Sequence, residues 1–311
     1  MAAKPTICFL LLVHRSPDQV ARLVEAVSPC PVLVHVDAGA SPAVWNDFGQ
    51  LPARFANVKL TPRARSAWGS WGLVEAMLNG IGVSLDLGCS HLVKMTGQDY
   101  LLRPLEQVAD FLAENPGISF VPHDKIPVGF IGDKDGGLSR VRNWHVAVRS
   151  RRVSIPMNRR PPQGVTPFYG AAEFVISMQL AKWLHEQVDQ RPELVRFFRR
   201  TWAPDELFVP SMAMSSPMAA DVSPANLWFT DWSAGGPHPR VFLREDIERL
   251  RAVALGQTGP LPGGQVKLFA RKFDLAKDGV MLDLIDQQLW GHQVNRPTPG
   301  GDLTVPRGQP S

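Results

Sequence analysis

Two acids stand directly after a proline at Pro204-Asp205-Glu206, in the segment Thr201 to Pro210. Proline suits the first position of a helix, and acids suit its first turn, where unpaired amide hydrogens carry positive partial charge. Taken locally this is an ordinary helix start. The same setting would keep a carboxylate ionised near neutral pH, which a general base needs in order to take a proton from a hydroxyl. Asp205, about 100° away around a helix, is expected to face elsewhere and to support or cap. Positive charge for an anion is offered by Arg271-Lys272, between apolar neighbours, and by Arg240. Asp37 and His14 each follow an apolar run. Asp37 suits accepting hydrogen bonds from imide or hydroxyl groups and equally an Asx-type turn, while a lone histidine is more often a structural hydrogen-bonder. The only Asp-x-Asp pair, Asp133-Lys134-Asp135, lies in a Gly-rich stretch and reads as a solvated turn.

The elements that must position these residues come from a 311-residue chain, 44% hydrophobic and 20% charged, a normal globular balance. It contains no apolar run of about 20 residues, so no membrane span is expected. The apolar run Ile7 to Val13 reads as a buried first strand rather than a signal-peptide core. Three cysteines, Cys8, Cys30 and Cys89, do not suggest a disulfide framework; free thiols and a cytoplasmic location are expected. The net charge of +4 is mild, and the densest basic cluster, Arg140 to Arg160, lacks interleaved aromatics apart from Trp144. It reads as an exposed basic loop, with an anionic donor, an acidic acceptor or a membrane surface as functional alternatives.

Strands are predicted at Ile7–His14, Val32–Val36, Asn57–Leu60 and His91–Met95, and helices at Pro17–Val27, Leu73–Ile81 and Leu105–Leu112. That alternation implies an α/β fold with a mostly parallel sheet covered on both faces, and ligands in such sheets bind at the carboxyl ends of strands. His14, Asp37 and the stretch Thr96 to Asp99 fall at such ends. Residues 123–170 read as irregular loops. A strand and helix are expected over Phe174–Glu186, and helices at Glu193–Arg200, from Pro204, at Arg244–Val253 and at Val280–Trp290. Trp68 and Trp71 bracket a helix start and read as packing residues. The tail from residue 296 is Pro/Gly-rich and expected to be disordered.

Seven segments, in order, carry a resemblance: Phe9 to His14, Val34 to Asp37, Ala67 to Val74, Thr96 to Tyr100, Thr166 to Ser177, Pro204 to Glu206, and Leu268 to Asp274. Together they resemble the glycosyltransferases of the core-2/I-branching type, which include β-1,6-N-acetylglucosaminyltransferases and peptide O-xylosyltransferases. The likeness covers about residues 6–275. It implies a GT-A-like fold with a mixed, mostly parallel central sheet flanked by helices, as a single domain over 1–295. The nucleotide-binding half would span about 1–120 and the acceptor and catalytic half about 121–295.

The resemblance further implies an inverting transferase that moves GlcNAc or xylose from a UDP-sugar to a hydroxyl of a glycan, glycolipid or peptide. Glu206 would be the base. His14, Asp37, Asp99, Arg240, Arg271 and Lys272 would bind the donor, basic side chains replacing a metal, so that no cofactor is required. Glu173, Trp228, Asp231 and Trp232 would meet the acceptor; Ala171-Ala172-Glu173 departs from the family pattern and leaves the acceptor's identity open. No nucleic-acid partner is implied. The absence of an anchor and of disulfides suggests a bacterial-type cytoplasmic enzyme, with a place at the inner face of the membrane among the options. The rival readings are a same-fold transferase with another donor or a metal requirement, a non-catalytic sugar- or nucleotide-binding protein, and nucleic-acid binding through the 140–160 basic cluster.

Overall fold

A computed structural model describes residues 6–129, 133–148, 151–236, 238–257 and 266–291. The expected tail from 296 lies outside them. The strands in chain order are β1 (Ile7–Val13), β2 (Val32–Val36), β3 (Val58–Leu60), β4 (His91–Thr96), β5 (Asp99–Leu101), β6 (Ser119–Phe120) and β7 (Asp124–Lys125). They continue as β8 (Asn143–Val148), β9 (Arg151–Pro156), β10 (Phe168–Tyr169), β11 (Phe174–Ser177), β12 (Val222–Ser223), β13 (Trp228–Thr230) and β14 (Phe269–Arg271).

Every residue of β1 is buried, as a strand covered on both faces must be. It sits inside a seven-stranded sheet of order β12-β6-β11-β4-β1-β2-β3. The pairs β4–β1, β1–β2, β2–β3 and β12–β6 are parallel; only β11 runs antiparallel to its neighbours β4 and β6. Side chains of β1 alternate between two cores. Ile7, Phe9, Leu11 and Val13 face the helices Pro17–Ala26, Leu105–Glu114, Ile247–Ala254 and Met281–Gln288. Cys8, Leu10 and Leu12 face the helices Trp71–Ser84, Met178–Gln190, Pro192–Phe198 and Phe208–Ala213. The expected α/β architecture is therefore present, with a mixed, mostly parallel central sheet. A second sheet, β13-β14-β5, lies beyond the β4 end and carries the Arg271–Asp99 register pair.

The last helix is tied to the first. The buried Arg22 guanidinium hydrogen-bonds Asp286 at 2.7 Å and forms an ion pair with Asp283 at 2.5 Å, while Tyr100 donates its hydroxyl to Asp286 at 2.9 Å. Trp290 stacks on Tyr100 with ring centroids 5.4 Å apart.

The structure corrects the reading of 123–170 as irregular. That stretch contains the short helix Leu138–Arg142, the β8–β9 hairpin, and the β7–β10 ribbon. β7 and β10 are two residues each and β9 opens on two arginines, so they give no clean strand signal; the alternation of Trp144, Val146 and Val148 in β8 was the available one. The helix Pro42–Gly49 also went unread, although Ser41 caps it by accepting the Val44 amide at 3.3 Å and Pro42 opens it. The segment at Pro204 is a single 3-10 turn, Pro204–Glu206, entered through Ala203 at a positive φ of 49°, and the α-helix begins only at Phe208.

Gly72, in the first turn of the helix Trp71–Ser84, lies so close to the loop before it that a Cβ would sit 1.9 Å from the Arg65 carbonyl oxygen. Alanine in place of glycine ordinarily stabilises a helix by up to about 1 kcal/mol. Here the backbone of the loop must shift, so Gly72→Ala is expected to destabilise by about 1–3 kcal/mol. That corresponds to a Tm lower by roughly 2–10 °C in calorimetry. A Tm at or above the parent's would show that the helix and loop do not press together.

Candidate active site

The carboxyl ends of β1, β2 and β4 bring His14, Asp37 and Thr96 to one edge of the main sheet. Asp37 is fixed by its neighbours: its amide donates to the Val13 carbonyl at 2.9 Å, and its carboxylate accepts the Ser66 amide at 2.8 Å. Burial alone would push this carboxyl up, but hydrogen bonds from Ser66 and the Gly39 amide outweigh burial and hold it below the usual range. His14 is exposed. Partial burial, then the charges of Arg15, Lys272 and Arg271, lower its pKa against the pull of Asp37, so the ring is neutral at pH 7. The pKa of Lys272 is lowered too, by partial burial and then by Arg271 and Arg15. Among the described residues its ammonium has no hydrogen-bond or ion-pair partner. The Arg271–Lys272 peptide bond is cis.

Asp99 and Arg271 are bound to each other. Arg271 Nη1 lies 2.8 Å from Asp99 Oδ1, bonds the Thr96 hydroxyl, and stands 3.5 Å from Glu173 Oε1. Asp99 also accepts the Thr96 amide at 2.8 Å. Its carboxyl is buried, and burial pushes its pKa up against the pull of Arg271. Arg240 is engaged at all three nitrogens: Nε with Asp231 at 2.9 Å, and Nη1 and Nη2 with Asp246 at 2.9 and 2.5 Å. Asp231 is buried and is bonded in addition by Arg249 at 2.5 Å. Trp228 lies in the core, stacked on Phe269 with centroids 4.5 Å apart, whereas Trp232 is 57% exposed. The structure thus gathers His14, Asp37, Lys272, Arg271, Asp99 and Glu173. It places Arg240 and Asp231 in an ion-pair cluster of their own and separates Trp228 from Trp232 by burial. Of the Asp133-Lys134-Asp135 stretch, Asp133 pairs with Arg140, and Asp135 accepts the Gly137 and Ser139 amides at 3.1 and 2.7 Å.

Glu206 is held by its backbone and by one cation. Its carbonyl accepts the Gly170 amide at 2.9 Å, and its Oε2 lies 2.7 Å from Arg140 Nη1. Arg140 also packs over the Tyr169 ring, 5.3 Å from its centroid. The Glu206 carboxyl is pushed up to about 7, first by burial and then by the charge of Asp205; Arg140 opposes this and Glu173 adds to it. The expectation that helix dipoles would keep this group ionised therefore fails. A single 3-10 turn aligns few dipoles, and enclosure beside a second acid dominates. Asp205 is expected to support or cap, but its side chain makes no cap: its Oδ1 is buried without a hydrogen-bond partner, and burial raises its pKa against the pull of Lys94, with Glu173, which also acts on Glu206, adding to the rise.

Sequence reasoning did not single out Arg140, Tyr169 or Lys94. Arg140 lay inside the noted basic cluster, but its pairing spans 66 positions and no local pattern reports it. Lys94 is a lone cation within the apolar β4, buried among acids, and that isolation was the available signal. Trp71 is buried against Phe208 at 5.6 Å, as a packing residue should be. Trp68 is 62% exposed, its ring 5.1 Å from that of Trp202.

The sequence pattern of the Core-2/I-Branching enzyme family matches residues 7–252. The chain belongs to that family. Xylosyltransferase 2 of Mus musculus is 24% identical over 314 residues, covering 92% of this chain and 34% of the mouse protein. Xylosyltransferase oxt of Drosophila melanogaster is 24% identical over 313 residues, covering 92% of this chain and 33% of the fly protein. The chain thus spans about a third of the length of the curated relatives it matches. Among solved structures, mannose-1-phosphate geranyltransferase from Thermus thermophilus matches 70% of this chain and 72% of its own, with 10% identity and a TM-score of 0.31. A likeness at that level carries no argument. Within this member of the Core-2/I-Branching family, Glu206, Glu173, Asp37 and His14 fall inside the matched span, while Arg271 and Lys272 lie beyond it.

The Glu206–Arg140 contact makes a direct claim. Removing the cation in Arg140→Gln disfavours the anion, so the Glu206 pKa should rise further, by about one unit or more. Carbon-13 NMR titration of labelled glutamates in the variant and parent would read it. A Glu206 resonance titrating at the same pH in both would mean that the ion pair does not form.

Proposed function

We propose that this chain is an inverting glycosyltransferase that uses a UDP-sugar, with Glu206 as its general base. The observation that carries the reading is the Glu206–Arg140 pair at 2.7 Å in a family member, its carboxyl pushed up to about 7 by burial, Asp205 and Glu173, and Glu173 standing 3.5 Å from Arg271 of the cationic strand edge. A base works best when its pKa lies near the working pH. In the step proposed, the acceptor hydroxyl oxygen attacks C1 of the sugar and its proton passes to Glu206. The bond from C1 to the phosphate oxygen breaks on the opposite face, and its electron pair leaves with UDP. Attack opposite the leaving group inverts the anomeric centre.

Asp37 and His14, at adjacent strand ends, suit the uracil and ribose. Lys272 suits the diphosphate, where a placed cation stabilises the charge that develops on departure. Arg271 supports this edge while paired with Asp99 and Glu173. On the acceptor side stand Glu173 and the exposed Trp232; Arg240, Asp231 and Trp228 would act by shaping the loop that carries Trp232. The relatives point to UDP-xylose as the first donor to try and UDP-GlcNAc as the second, with a glycan, glycolipid or peptide hydroxyl as acceptor. No metal is assigned a role.

Glu206→Gln is expected to lower transfer about 10²–10⁴-fold, with UDP affinity by calorimetry nearly unchanged. Transfer at the parent rate would reduce Glu206 to a turn residue. The pH profile follows from the raised pKa: the base must be deprotonated, so the rate climbs about fivefold from pH 6 to 7 and about twofold more to a plateau. A rate already flat at pH 5 would overturn the assignment. Activity is expected to survive EDTA, and its full loss on chelation would refute the metal-free version.

A further inference from the structure

The β8–β9 hairpin forms a two-stranded sheet of its own, next to the site and outside the proposed chemistry. One of its faces is anchored. His145 is buried, its Nε2 lies 2.9 Å from the Ser139 carbonyl, and its amide donates to the Arg200 carbonyl at 3.0 Å. The other face is apolar and open. Trp144 pairs across the strands with Ile155, and Val146 with Val153; alternate residues share a face, so the four form one strip. Trp144 is 38%, Ile155 39% and Val153 41% exposed, and Met157, just past the strand, is 57% exposed.

One cation lies against this strip and others are exposed nearby in sequence. The Arg200 guanidinium lies 4.9 Å from the Trp144 ring centroid, and Arg142, Arg160 and Arg199 are exposed. From Gly136 to Ala172 the sequence holds seven arginines and no acid, while the rest of the chain has 26 basic and 29 acidic residues. The positive charge of the protein is thus concentrated on the segment that exposes its apolar strip. A polyanion such as an acidic glycan or nucleic acid could use the arginines and stack on Trp144, but has no use for the aliphatic Val153, Ile155 and Met157. The boundary between headgroups and acyl chains takes both, with tryptophan favoured at that depth.

We propose that the open face of the β8–β9 hairpin docks this protein onto an anionic membrane surface. Among the described residues no helix is long and apolar enough to cross a membrane, so this contact is with the surface. The hairpin adjoins the base: the Trp202 amide donates to the Arg140 carbonyl at 3.1 Å, and Arg140 pairs with Glu206. Resting on the proposed activity, the docked face would present a lipid-borne acceptor to the Arg140 side of the site.

Vesicle co-sedimentation of the full chain tests the contact without any assay of transfer, so its failure would leave the proposed activity untouched. The protein is expected to bind vesicles of phosphatidylcholine mixed with phosphatidylglycerol and not phosphatidylcholine alone, with binding that weakens as salt rises. Arg142→Glu with Arg160→Glu should weaken binding by about fivefold or more per arginine. Trp144→Ser with Ile155→Ser should weaken it by about tenfold or more. Parent-like melting confirms that each variant is folded; if the serine variant melts early, the exposed arginine variant decides the matter. Absence of binding to the mixed vesicles overturns the proposal. So does equal binding to heparin with no effect of the serine variant, which would make the face a polyanion site.

Discussion

The guanidinium of Arg271 is shared by Asp99 and Glu173, and two sheets meet around it. Asp99 opens β5 in the smaller sheet, Thr96 closes β4 in the larger, and Glu173 stands just before β11. A buried carboxylate is tolerable only if it is paired and hydrogen-bonded, and Asp99 receives the Thr96 amide, the Thr96 hydroxyl and Arg271. Removing the guanidinium would leave two acids enclosed without compensation, a far larger penalty than the pair's own net worth. The commitment has a functional side. A cation held by two carboxylates is largely committed, whereas Lys272, its neighbour in sequence, has no hydrogen-bond or ion-pair partner among the described residues, which is why the proposed donor's diphosphate is assigned to it.

The same balance of charge explains the state of Glu206. Three acids, Glu173, Asp205 and Glu206, influence one another, and Lys94, Arg140 and Arg271 oppose them. No acid in the set is isolated, so the proton affinity of Glu206 belongs to the ensemble. Burial favours its protonated form and Arg140 the anion. The Arg240 cluster shows the contrast: Asp231, bonded by Ser233, Arg240 and Arg249, is held far below the ordinary carboxylate range despite its burial. The two acids are driven in opposite directions: donors from three residues outweigh burial at Asp231, while at Glu206 burial and the charge of Asp205 outweigh its one cation.

What the sequence disclosed follows from how far each signal reaches. β1 is a continuous apolar run and β2 and β4 are mostly apolar, all bounded by turn residues, so their extents and the placement of His14 and Asp37 could be read directly. Pro204-Asp205-Glu206 named the right residues but the wrong local structure, because proline followed by acids suits a 3-10 turn as well as an α-helix. Partnerships were not legible. That Arg240 and Asp231, expected at the donor and the acceptor, bond each other was not readable from either residue; Arg140, the cation that compensates the half-buried Glu206, sits 66 positions away from it. Trp228 and Trp232 share one short segment, yet the strand register buries the first against Phe269 and leaves the second in solvent.

One reversed strand determines which halves of the chain can cooperate. β11 runs antiparallel to β4, with Phe174 opposite Lys94 and Ser177 opposite His91. Its beginning therefore lies beside the end of β4, and Glu173 arrives at the edge where β1, β2 and β4 deliver His14, Asp37 and Thr96. Laid parallel, the four residues of β11 would carry Glu173 roughly 13 Å away, to the opposite rim of the sheet. The turn of direction lets a carboxylate supplied late in the chain complete an edge begun by its first hundred residues. The reversal of a single strand, more than any one side chain, joins the two halves into one working rim.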